Sequence, residues 1–213
     1  MRYQLLSQRG ELANVLTHGF GAAASAAGGI ALIVLAARLG DIWQLVSAIV
    51  YSLSLVLLYT ASTLYHGAQS AEVKDRLEIF DHCAIFLLIA GTYTPFTLVS
   101  IRGVWGWSLF GIVWTLAVVG IVLKLFFTQR FHLLSTLTYI AMGWLVVLAA
   151  GPMINALPPV AVWLLVAGGI SYTAGTFFYH KHTLPHAHAI WHLFVLGGSI
   201  CHFAAVATQV VPS

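Results

Sequence analysis

Residues 42–66 read IWQLVSAIVYSLSLVLLYTASTLYH. This run has no Asp, Glu, Lys or Arg, and at about 1.5 Å per residue it is long enough to cross a hydrocarbon core about 30 Å thick. It ends on a histidine. Working outward, seven stretches of spanning length appear: about Gly19 to Ala37, Ile42 to Tyr65, Cys83 to Ile101, Val104 to Leu123, Leu133 to Ile154, Val160 to Phe178 and Ala189 to Val211. None alternates polar and apolar residues as a barrel strand does. The 213 residues are 60% hydrophobic and 7% charged, with a mean hydropathy of +0.93, which excludes a soluble domain. The expectation is an all-α integral membrane protein, a seven-transmembrane-helix bundle forming one domain over residues 1–213. Connections are short and no linker divides the chain. The polar opening Met1 to Thr17 lacks the short basic start of a secretory signal, and with six later spans the first helix is expected to be retained.

Orientation follows from the cations. Counted on alternating sides, Arg2, Arg9, Lys74, Arg76, Lys124, Arg130 and Lys181 fall on one side, and only Arg38 and Arg102 on the other. The positive-inside rule then places the N-terminus in the cytoplasm and the C-terminus outside. The net charge of +3 reports topology and gives no reason to expect nucleic acid as a partner.

With that orientation, His66 ends the second span, Asp81 opens the third, and His188 and His192 open the seventh, all near the cytoplasmic face. Ionisable groups at span depth are costly and mark sites. His188 and His192, four apart, stack on one helical face as a chelating pair, and Ser62 shares the face of His66 one turn earlier. Three imidazoles with a carboxylate nearby suit a zinc ion that keeps one coordination position open. Glu11, Asn14 and His18, at i, i+3 and i+7, form a polar stripe on the entry to the first helix.

Each signal has a plainer counterpart. Asp81 alone can be a helix N-cap, interfacial histidines commonly bond to headgroups or water, and the stripe of Glu11, Asn14 and His18 is most simply a solvated helix start. His82 points about 100° away from Asp81, toward headgroups or another helix. His180, His182 and His186 sit with Lys181 in a loop, where a solvated cluster is expected, and His132 reads as interfacial. His202 lies about 15 Å deeper than His192, so an internal hydrogen bond is expected for it. Cys83 and Cys201 fall at different depths and are not expected to pair.

In order and on these helices, Glu11-x-x-Asn14-x-x-x-His18, Ser62-Thr-Leu-Tyr-His66, Phe80-Asp81-His82-Cys83 running on to Gly91-Thr-Tyr-Thr-Pro95, and His188-Ala-Ile-Trp-His192 followed by Gly197-Gly198 and His202-Phe203 form a signature. Over essentially its whole length the chain resembles the hemolysin III family, the bacterial branch of the progestin and adiponectin receptor (PAQR) superfamily. The resemblance implies a bundle with a cytoplasmic N-terminus in the bacterial inner (plasma) membrane. It implies Zn2+ held at His66, His188 and His192, with Asp81 near a zinc-bound water and Ser62 in the site. The receptor relatives look like ceramidases, and bacterial members are associated with haemolysis and with membrane lipid homeostasis.

The chemistry stands beside that resemblance. Zinc on three neutral imidazoles acidifies its water to a pKa of about 7 and polarises a carbonyl, with Asp81 as general base. The leading expectation is therefore a zinc-dependent hydrolase of a membrane lipid amide or ester. The alternative is a membrane-state sensor or receptor in which zinc is structural. A pore-forming hemolysin ranks below both, since the spans carry few polar residues to line a water-filled channel.

Overall fold

The computed structural model describes residues 2–127, 131–181 and 183–210, with residues 2–9 described by backbone alone. Arg130, His182 and Val211, and the side chains of Arg2 and Arg9, lie outside the described residues. Among the described residues eight α-helices follow one another: α1 (Arg2–Leu39), α2 (Ile42–Gly67), α3 (Ala71–Pro95), α4 (Val104–Phe127), α5 (His132–Gly143), α6 (Ala150–Ala156), α7 (Pro159–Tyr179) and α8 (Ala187–Val210). A π-helical turn (Phe96–Ser100) extends α3, and a 3-10 turn (Leu145–Ala149) joins α5 to α6. Together they make seven helical segments long and apolar enough to cross a membrane. No strand is present among the described residues.

Local chemistry sets the helix ends. Asp41 opens α2 with a capping box: its carboxylate accepts from the N–H groups of Trp43 and Gln44 at 2.8 and 2.9 Å, and Gln44 Oε1 accepts from Asp41 N–H at 2.8 Å. Ser70 caps α3 by accepting from Val73 N–H, and Pro159 stands at the first position of α7. Gly103, with φ of 142°, makes the turn between the π-helical turn and α4.

Two expected boundaries are corrected. The third helix begins at Ala71 rather than Cys83, because hydropathy marks only the apolar part of a helix that continues into polar surroundings. Lys74 and Arg76 are therefore helical, and Asp81, roughly three turns into α3, is no N-cap. Lys124 is likewise inside α4 and buried rather than in the following loop.

Helices α1, α2 and α3 pack in sequence, α4 lies against α3, α5 touches α3 and α7, and α7 pairs with α8, which returns to α1. The outer faces show leucine and valine to lipid, among them Leu53, Leu57 and Leu64 of α2 and Val118, Val119 and Val122 of α4. Small residues bring backbones together, as membrane helices require without a hydrophobic drive between them. At Gly21 of α1 a Cβ would lie 2.5 Å from the Tyr59 ring of α2.

The fifth span breaks at Trp144, where non-helical backbone at membrane depth must be satisfied inside the protein. Tyr93 of α3 does this. Its hydroxyl accepts from Val146 N–H at 2.8 Å and lies 2.9 and 2.8 Å from the carbonyl oxygens of Met142 and Gly143. Each buried group left without a partner costs about 1–3 kcal/mol. Tyr93→Phe is thus expected to lower the thermal midpoint in detergent by about 5 °C or more, and an unchanged midpoint would show that the break is held by other contacts.

Candidate metal centre

Two helix ends converge at one end of the bundle. Ser62 and His66 occupy the last turns of α2, both buried. His188 and His192 occupy the first turns of α8, His188 half-buried and His192 only 1% exposed. Their rings form a near-equilateral triangle, with centroids 4.8 Å apart for His66 and His188, 5.0 Å for His66 and His192, and 4.7 Å for His188 and His192. One nitrogen from each lies within 4.8 Å of the other two. The expected convergence of these residues is what the fold builds.

A metal ion fits this donor set on its own terms. His66 Nε2 is buried without a hydrogen-bond partner, a costly state for a polar atom that bonding to a cation would relieve. Imidazole nitrogen suits zinc, copper, iron and nickel, and does not suit calcium or magnesium.

A cavity of about 450 Å³ adjoins the triangle, and Ser62, Asp81, His188 and His192 line it. Asp81, half-buried, shares this wall with the buried Ser62. Much of the wall is apolar, including Leu88 and Ile89 of α3 and Val195 of α8, and the cavity reaches His202. There His202 Nε2–H donates to the Leu165 carbonyl oxygen at 3.2 Å, the internal hydrogen bond expected of it. Gly168 makes room for that ring, since a Cβ at this position would lie 2.3 Å from it.

The stripe on α1 departs from its simplest reading. Asn14 and His18 are 6% and 3% exposed, because α1 packs against α2 and α8 and covers them. Glu11 Oε2 lies 2.7 Å from His66 Nδ1, and its Oε1 accepts from Lys74 Nζ at 2.5 Å. His18 stacks on His192, with centroids 3.4 Å apart and planes 13° from parallel, and meets Tyr59 edge-on. Thr17, which belongs to none of the motifs above, brings its hydroxyl 3.1 Å from His192 Nδ1. Its only signal was adjacency to His18.

The remaining histidines divide. His82 is buried and approaches Tyr179 of α7 at 3.5 Å, so it faces another helix. His180 is exposed yet bonded to Thr136 of α5 at 3.1 Å, not merely solvated. His186 is exposed, with its backbone in the left-handed region. Cys83 and Cys201 are free thiols, as expected.

Comparison with known proteins bears on this geometry. A family model described as Haemolysin-III related matches residues 6–203, a stretch holding every residue of the triangle and of the cavity wall named above. The chain is 48% identical to the Hemolysin-3 homolog of Bacillus subtilis (strain 168) over 196 residues, 92% of each chain. It is also 48% identical to Hemolysin-3 of Bacillus cereus over 203 residues, covering 95% of this chain and 93% of the relative. A more distant similarity is to the human Monocyte to macrophage differentiation factor, 27% identical over 174 residues, covering 78% of this chain and 71% of that protein.

Proposed function

Because the chain belongs to the haemolysin-III-related family, we propose that it is a single-domain, multi-pass protein of the bacterial inner membrane that hydrolyses a lipid amide or ester at a zinc centre, serving membrane lipid homeostasis. The observation that carries this reading is the adjacency of three imidazole donors to a cavity lined by Asp81 and Ser62.

His66, His188 and His192 would hold the ion. A divalent cation there supplies Lewis-acid polarisation of a carbonyl and makes water at the site a stronger acid. Asp81 takes the proton from the attacking water as its oxygen adds to the carbonyl carbon. As the C–N or C–O bond breaks, that proton passes to the departing amine or alkoxide. Ser62 holds the Asp81 carboxylate toward the water, and the apolar wall at Leu88, Ile89 and Val195 takes up the acyl chain.

Protein purified without a histidine tag is expected to carry one equivalent of zinc. It should release fatty acid from at least one member of a panel of sphingoid amides and glycerolipid esters, with turnover lost on chelation and restored by zinc. A specific observation favours a second reading: α2 and α8 otherwise touch only lightly, so zinc would also staple them, as in a membrane-state sensor. That reading takes over if chelation lowers the melting temperature while the zinc-loaded protein turns over no lipid. The name of the Bacillus relatives points to lysis, yet the largely apolar wall suits a lipid chain better than a column of water and ions.

The orientation is part of the proposal. A reporter active only outside the cytoplasm should be active when fused after residue 213 and inactive when fused before residue 1. The reverse pattern would turn the site to the outer face.

A further inference from the structure

The way α1 meets His66 and His192 decides which nitrogen of each of these two rings carries the hydrogen. His66 Nδ1 lies 2.7 Å from Glu11 Oε2, and a carboxylate oxygen accepts hydrogen bonds and has none to give. The ring hydrogen therefore sits on Nδ1. In the neutral imidazole the lone pair is then on Nε2, the atom buried without a protein partner.

His192 is fixed by a different group to the same end. Its Nδ1 lies 3.1 Å from Thr17 Oγ1. A hydroxyl has one hydrogen, and that of Thr17 is directed at the carbonyl oxygens of Ala13 and Asn14, at 2.8 and 3.0 Å. Only lone pairs remain for the ring, so His192 Nδ1–H is the donor and Nε2 again carries the lone pair.

The carboxylate is itself held at both oxygens. Lys74 Nζ donates to Oε1 at 2.5 Å. With His66 Nδ1 already bearing a hydrogen, Asn14 Nδ2 has no acceptor there, and its acceptor is Glu11 Oε2 at 3.5 Å.

We propose that Glu11 and Thr17 are positioning residues that keep the ring hydrogens of His66 and His192 on Nδ1, so that both imidazoles offer Nε2 to a shared cation. The inference rests on the metal-centre reading above and names the device that prepares the centre before any ion arrives. Outer partners of this kind fix the tautomer and orientation of ligating histidines, and their loss typically lowers metal affinity 10–100-fold.

The test has two arms. In the metal-free full-length protein, nitrogen-15 NMR of labelled histidine distinguishes the two neutral tautomers, with His66→Gln and His192→Gln spectra supplying the assignments. Both rings are expected as Nδ1–H in the wild type. His66 should lose that uniform state in Glu11→Leu and His192 in Thr17→Val, while Glu11→Gln and Thr17→Ser, which keep an oxygen acceptor, should preserve it.

In the second arm, zinc competed against a chelator should bind Glu11→Leu and Thr17→Val about 10–100-fold more weakly than wild type, with Thr17→Ser restored to near the wild-type value. Wild-type rings protonated on Nε2, or unchanged zinc affinity in both apolar variants, would overturn the proposal. A wild-type protein that takes up no zinc would instead overturn the metal-centre reading, and the nitrogen spectra would still decide the tautomers. A purely architectural role for these side chains would lower the melting temperature and move neither readout.

Discussion

His192→Ala is expected to strip the protein of stoichiometric metal, with zinc affinity falling by more than about a hundredfold, the upper end of what losing an outer partner alone costs. Of the three rings His192 is the most enclosed, 1% exposed, with His18 stacked on one face and Thr17 against Nδ1. Among the described residues the only group of three side chains placed to hold a metal ion together is His66, His188 and His192, and the substitution leaves two of its donors. The same substitution opens a cavity and leaves the stacked ring of His18 without its neighbour, so stability falls as well, on the order of 3–5 kcal/mol by analogy with removing a buried ring. The two losses separate by including His188→Ala, whose side chain is half-buried and whose removal costs the fold less. Both variants should elute from gel filtration with less than about a tenth of an equivalent of zinc, and His202→Ala, about 15 Å away along α8, should retain its full equivalent. Full zinc retention in His188→Ala and His192→Ala would remove the centre.

Much of this site can be read in the amino-acid order because the bilayer imposes a length scale. Charge-free runs such as residues 42–66 must be spans, and the cations then give depth, so that His66 and His188 to His192 fall at one level although more than a hundred positions apart. The four-residue spacing of His188 and His192 fixes their shared face without any tertiary knowledge. The role of α1 is hidden for the opposite reason. Glu11, Asn14 and His18 look like an ordinary solvated helix entry, and only the close approach of α1 to α2, which Gly21 permits against Tyr59, turns them inward. Thr17 bonds its own helix backbone and a ring on α8, contacts that spacing cannot reveal. Asp81 reads ambiguously from the amino-acid order, because hydropathy marks only the apolar part of α3 and leaves the residue looking like a cap. Tyr93 gave no polar signal at all. Its function depends on a break in a different span.

Asp81→Asn separates binding from chemistry. The side chain is outside the triangle of donors and on the cavity wall, so the variant should keep its zinc, its melting temperature within a few degrees and its affinity for lipid. An amide cannot take the proton of the attacking water. Loss of a positioned general base typically costs 10²–10⁴-fold, and turnover of any lipid the wild type hydrolyses should fall by about that factor, appearing in kcat with KM little changed. Ser62→Ala should have a milder effect, roughly tenfold, since it removes a partner that aims the carboxylate while the carboxylate itself remains. The order of the two effects matters. If Ser62→Ala is the more severe, the hydroxyl is the reacting group and Asp81 its partner, which would make the reaction a transfer through an ester of Ser62. If Asp81→Asn turns over lipid at the wild-type rate with zinc in place, the carboxylate is not the base, and the centre is left as a staple between α2 and α8.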